Sequence, residues 1–117
     1  MRTSNGADMG HHVLLNLYDC GEVERLENLE PFALFICDVL SQCRAEVVGT
    51  SSHQFDPFGF TYLALLTTSH FSIHTWPEHR SAAVDIFTCG DVNTDQIVAR
   101  LILYFGSGHN TFRDVLR

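Results

Sequence analysis

The run Thr67-Thr68-Ser69-His70-Phe71-Ser72-Ile73-His74-Thr75-Trp76-Pro77-Glu78 gathers hydroxyls, two imidazoles and a carboxylate into one short stretch. A serine hydroxyl is a weak nucleophile, and it needs a proton acceptor and donors for a developing oxyanion before it can attack a carbonyl. Ser69 and His74 are the candidates for that work, five residues apart. The plain alternative is a solvent-facing strand, because Phe71 and Ile73 alternate with His70, Ser72 and His74. Each further candidate also has a plain reading when taken alone. Cys89 before Gly90 is a buried thiol, Glu78 a solvated turn residue, Thr61 an ordinary β-branched strand residue, and Phe55 and Phe58 lids over the core.

One absence narrows the chemistry. The chain contains no lysine, and all seven basic side chains are arginine. A pyridoxal-phosphate enzyme needs a lysine amine for its Schiff base, so that cofactor is excluded in its usual form. A reaction that needs a carbonyl electron sink must find the carbonyl elsewhere.

The elements that would position these residues follow from periodicity. His12 to Tyr18 reads as a buried first strand. Asp19-Cys20-Gly21 turns the chain, and Glu22 to Glu30 is an acidic approach with room for a helical turn. Pro31 suits the first position of a helix, with Phe32, Leu34, Phe35, Ile36, Val39, Leu40 and Cys43 as its apolar stripe and Glu27 and Glu30 complementing its dipole. Strands are predicted over Ala45 to Ser51, Phe60 to Thr67, Ser69 to Thr75 and Ser81 to Thr88, with His53 to Gly59 as a loop. The second and third of these form a hairpin or one bent strand. Trp76-Pro77 ends the latter, because proline cannot donate to a ladder. Asp91 or Asn93 caps a second helix carrying Ile97, Val98, Leu101, Ile102 and Phe105, and Gly106-Ser107-Gly108 stops it. Asn110 to Arg117 is open between a short strand and a helical turn. With Phe60 to Thr75 counted as one bent strand, the order β-α-β-β-β-α predicts an α+β two-layer sandwich, with two helices on one face of a mainly antiparallel sheet.

Composition sets the outer bounds. At 117 residues, 45% hydrophobic and with a mean hydropathy near zero, the chain fits one globular domain over residues 11–117 behind a flexible tail over 1–10. A net charge of −7 argues against nucleic acid and anionic membranes as partners. There is no apolar run long enough for a transmembrane helix and no signal-peptide core. Cys20, Cys37, Cys43 and Cys89 lack zinc-like spacing, so no metal is implied, and they are read as free thiols in a reducing cytoplasm. A core this small favours oligomerisation.

The segments Ser69 to Glu78 and Asp85-Ile86-Phe87-Thr88-Cys89-Gly90 together resemble S-adenosylmethionine decarboxylases of the short prokaryotic type. The likeness extends to Gly10-His11-His12, Tyr18-Asp19-Cys20 and His53-Gln54-Phe55-Asp56-Pro57-Phe58-Gly59, and runs from about residue 10 to 106. By this resemblance the Ser69 hydroxyl attacks the Thr68 carbonyl, and self-cleavage between Thr68 and Ser69 leaves a pyruvoyl group at position 69. That carbonyl would form a Schiff base with the substrate amine, which accounts for the missing lysine. The resemblance further implies that His74 moves protons during processing, with Thr61 in place of a family serine. It makes Cys89 the proton donor in catalysis; thiols are largely protonated at neutral pH. Glu78 would grip the ribose hydroxyls and Phe55 would stack on adenine. The expected product is the aminopropyl donor for spermidine synthesis, made by a homodimer of cleaved protomers that share residues across their interface.

Thr68 departs from the family, which has glutamate there. Two other readings follow from Thr68 and Thr61. One is a pyruvoyl-dependent decarboxylase of a basic amino acid such as arginine or ornithine; the other is an unprocessed regulatory paralogue.

Overall fold

The computed structural model describes residues 9–117. Strand β1 (His11–Cys20) leads into helices α1 (Val23–Glu27) and α2 (Leu29–Gln42). Strands β2 (Val47–Gln54), β3 (Phe60–Leu66), β4 (His70–Trp76) and β5 (Ser81–Thr88) follow, with a 3-10 turn over Pro77–His79. Helix α3 (Thr94–Phe105) and strand β6 (Ser107–Leu116) complete the chain. The six strands form one sheet in the order β2-β3-β4-β5-β1-β6, and every neighbouring pair is antiparallel. The expected α+β sandwich is present.

Alternation makes the sheet two-faced. Phe60, Tyr62, Ala64 and Leu66 of β3, Phe71, Ile73 and Thr75 of β4, and Ala82, Val84 and Ile86 of β5 are buried beneath the helices. Their alternate neighbours point the other way, as a period of two requires. Phe32 of α2 is fully buried and ties the layers together, with ring centroids 5.2 Å from Phe60, 6.3 Å from Phe71 and 5.6 Å from Phe105. Such aromatic clusters combine large buried area with favourable ring geometry. Among the described residues Thr75 and Thr88 are the buried polar ones, and Thr75 bridges elements. Its hydroxyl donates to the Leu26 carbonyl at 2.7 Å and accepts from the Phe60 N–H at 2.9 Å, pinning α1 to β3 and β4.

Several expectations are corrected. Helix α2 starts at Leu29, two residues before Pro31. The proline still fits, since the first turn's N–H groups have no partner within the helix. Leu34 is 74% exposed rather than part of the buried stripe. Phe55 and Phe58, at 46% and 48%, project from their loop and do not cover the core. The final segment is a ten-residue edge strand paired with β1 from His11↔Leu116 to Cys20↔Ser107. Asn93, not Asp91, caps α3, accepting from the Gln96 N–H at 3.1 Å. The N-terminal tail expected over residues 1–10 falls mostly outside the described residues. Its last member, Gly10, accepts from the Arg117 N–H at 2.8 Å.

Candidate active site

The β4–β5 register fixes the first cluster. His70 lies opposite Phe87, so the Thr67–Thr68 link between β3 and β4 falls beside the end of β5. Cys89 there meets the Thr68–Ser69 pair from several directions. Its N–H donates to Ser69 Oγ at 3.3 Å, and its Sγ lies 3.8 Å from the Thr68 carbonyl oxygen. The same sulfur is 3.9 Å from Ser69 Oγ and 2.7 Å from Thr68 Oγ1. One backbone donor and one thiol therefore face the hydroxyl and the carbonyl that self-cleavage would join. Gly10 closes the far side of this wall. A Cβ there would overlap the Thr88 carbonyl oxygen, so only glycine lets β1 begin this close to the end of β5.

The other cysteines contrast with Cys89. Cys20 and Cys43 are buried, and burial pushes both thiols up despite the opposing charges of Arg80 and Arg100. Groups so placed stay protonated and inert.

A second cluster sits at the opposite end of β4. Thr61 and His74 are register partners across β3 and β4, and Thr61 Oγ1 lies 2.8 Å from His74 Nδ1. His53 is opposite Thr61 on the next strand, and its ring meets Phe55 edge-on at 4.7 Å. Trp76 lies 6.3 Å from His74. Gly59 packs against Pro77, which brings the loop carrying Phe55 beside the turn carrying exposed Glu78. Thr61 and His74 lie on the face that carries no helix, alternating with the buried Tyr62 and Ile73.

The structure thus brings Thr68, Ser69 and Cys89 together, and separately Thr61 and His74, while the Phe55 loop and the Glu78 turn meet through Gly59 and Pro77. It does not bring the two sets together within one chain. His74 is five strand residues from Ser69, about 16 Å at ~3.3 Å per residue. Proton transfer needs contact of ~3 Å. The sequence spacing looked local, but an extended strand makes five residues long.

The sequence reading left His12 and Asp85 without roles. His12 Nε2 lies 3.2 Å from Asp85 Oδ1 on the open face, and its ring is 6.5 Å from His70 and from Phe87. Register alone could have found this pair, because β1 and β5 match His12 to Phe87 and Leu14 to Asp85.

The six-stranded antiparallel sheet with its helices on one face places the chain in the class of α+β two-layer sandwiches. Comparison with known proteins makes the class specific. The family described as S-adenosylmethionine decarboxylase matches residues 11–117. An S-adenosylmethionine decarboxylase proenzyme of Thermodesulfovibrio yellowstonii is 37% identical over 95 residues, covering 81% of this chain and 70% of that protein. One from Parasynechococcus marenigrum is 46% identical over 83 residues, covering 71% of this chain and 64% of that protein. The crystal structure of the adenosylmethionine decarboxylase from Aquifex aeolicus superimposes with a TM-score of 0.87 at 27% identity, covering 96% of this chain and 92% of that one. The Trypanosoma brucei AdoMetDC-delta26 monomer shares the fold, with a TM-score of 0.63 at 14% identity, and this chain covers 44% of it. The chain belongs to the S-adenosylmethionine decarboxylase family. Among the described residues no helix is long and apolar enough to cross a membrane.

Proposed function

We propose that this chain cleaves itself between Thr68 and Ser69 and then decarboxylates S-adenosylmethionine to the aminopropyl donor of spermidine synthesis, as a dimer whose two sites each draw on both copies. The observation that carries the reading is the contact of Cys89 with both reacting groups, Ser69 Oγ and the Thr68 carbonyl oxygen.

In processing, Ser69 Oγ attacks the Thr68 carbonyl carbon, and the acyl group passes from nitrogen to oxygen. The Cys89 N–H supports negative charge on Oγ, and the thiol can donate to the Thr68 oxygen as it becomes an oxyanion. Elimination then takes the Ser69 Cα proton to a base, breaks the Cβ–Oγ bond to form a Cα–Cβ double bond, and releases Thr68 as a carboxylate. Water hydrolyses the remaining enamine to a ketone and ammonia. The pyruvoyl group so made supplies the electrophile for the substrate amine and the sink for electrons released with carbon dioxide. The donor set around Ser69 fits such a group: it holds a thiol and an amide N–H and no lysine that would compete for the carbonyl. Cys89 then returns a proton to the α-carbon.

The separation of the two clusters supports the dimer. A two-fold axis between two stacked sheets, perpendicular to β4, sets the Ser69 end of one copy over the His74 end of the other. The partner's His74, oriented by the partner's Thr61, then serves as proton carrier in processing. The partner's Glu78 takes the ribose hydroxyls and the partner's Phe55 the adenine. The open face offers Leu63 and Leu65, both exposed in a single chain, as apolar contact area.

The test is release of labelled carbon dioxide from carboxyl-labelled S-adenosylmethionine, arginine and ornithine. Release from S-adenosylmethionine alone is expected. Release only from an amino acid overturns the substrate assignment, and release from none of the three favours a regulatory role.

A further inference from the structure

Gln54 closes β2 just before the loop that carries Phe55, and its side chain uses every polar atom it has. Nε2 donates to the Glu27 and Gly59 carbonyls, each at 2.8 Å, with a longer approach of 3.4 Å to the Phe55 carbonyl. Oε1 accepts from the Leu29 N–H at 2.8 Å. Leu29 is the first residue of α2, whose N–H has no partner within the helix. The adjacent Asn28 does not cap it, because its side chain donates to the Glu24 carbonyl at 2.8 Å instead. One amide therefore caps a helix from another element and holds both ends of a loop.

The loop has two further fastenings. The Phe55 N–H donates to the Gly59 carbonyl at 2.8 Å, and the Gly59 N–H to the Glu27 carbonyl at 3.1 Å. Gly59, at φ +105°, lies against Pro77, with a Cβ there only 3.3 Å from Pro77 Cδ. Pro77 begins the turn bearing Glu78. The chain of contacts runs from the α1–α2 junction through Gln54 to Gly59 and on to Pro77. Phe55 and Glu78 are exposed and make no packing of their own in the core, so their placement depends on this frame.

We propose that Gln54 is a specificity-setting positioning residue, which holds the Phe55 loop against the Glu78 turn at the spacing a nucleoside requires. This rests on the assignment of Phe55 and Glu78 to the nucleoside. Gln54 touches no reacting atom: its side chain is taken up by the backbone of Glu27, Leu29 and Gly59, and within its own chain it sits at the opposite end of the sheet from Ser69. Its loss should weaken uniform binding and leave the chemical step alone, which raises KM at constant kcat.

Gln54→Ala and Gln54→Glu test this together. The glutamate keeps an acceptor for the Leu29 N–H but loses the donors to Glu27 and Gly59 and sets negative charge against two carbonyls. Both variants should raise KM for S-adenosylmethionine about tenfold, with kcat within about twofold and the extent of self-cleavage unchanged. A glutamate variant with wild-type KM would overturn the proposal, since helix capping would then be the whole role. A fall in kcat or in cleavage at unchanged KM would overturn it as well. Binding of 5′-methylthioadenosine, the nucleoside thioether without the amino acid, needs neither cleavage nor turnover. Both variants should bind it about tenfold more weakly than wild type. Equal binding by all three proteins refutes the role of Gln54 alone, whereas no binding by wild type removes the nucleoside assignment beneath it.

Discussion

If each catalytic site is shared between two copies, two dead chains should make one live site. Ser69→Ala removes the carbonyl precursor, and Glu78→Ala removes the ribose acceptor; each homodimer should be inactive or nearly so. Neither change should unfold the chain, because Glu78 is exposed and Ser69 lies in a link between strands. Along one chain, Ser69 and Glu78 lie at opposite ends of β4, more than ~20 Å apart by strand rise. No side-chain motion closes that gap. In a mixed dimer, the Glu78→Ala chain contributes Ser69 and Cys89, and the Ser69→Ala chain contributes Thr61, His74, Phe55 and Glu78. One site is then complete and the other doubly defective. Random pairing on co-expression gives about half mixed dimers, so pooled activity should be about a quarter of wild type, and about half once mixed dimers are isolated with two affinity tags. Carbon dioxide release per protomer is the assay. A mixed dimer no more active than either parent would refute the shared site and return His74 and Glu78 to the surface.

Two other changes probe single contacts. Cys89→Ala should lower turnover far more than it slows self-cleavage, because the Cys89 N–H to Ser69 Oγ survives the substitution while the proton donor does not; cleavage blocked at normal turnover in the cleaved fraction would contradict this. Thr75→Val leaves the buried Leu26 carbonyl and Phe60 N–H without the Thr75 hydroxyl, a loss of about 2–4 kcal/mol that should lower Tm by roughly 10 °C in a thermal melt. A change below about 2 °C would mean that these groups find other partners.

Where burial alternates, the elements were legible. Strands β3, β4 and β5 alternate between buried and half-buried or exposed residues, and the sequence shows it in apolar spacing. Strand β6 was only half legible because almost all of it is exposed. Ser107–Leu116 has no apolar alternation to read, and its place comes from pairing with β1. The plain reading of Phe55 and Phe58 as core lids fails because aromaticity signals burial only on average, and both rings project from their loop. The identities of the candidate site residues were readable from resemblance. Their division into two clusters was not read, although the strand assignment already implied it at ~3.3 Å per residue. The Thr68 contact with Cys89 was out of reach, since it depends on how β5 ends beside the hairpin. Gln54 was equally hidden, because two of its partners are backbone atoms 25 and 27 residues away in the chain.

The most direct test of the central claim is the intact mass of the purified protein under denaturing conditions. The account predicts two fragments, residues 1–68 with an ordinary carboxyl terminus and residues 69–117 beginning with a pyruvoyl group. The second should resist Edman degradation and shift in mass with a hydrazine. A single chain of 117 residues with an unmodified serine at position 69, stable on prolonged incubation, would contradict it.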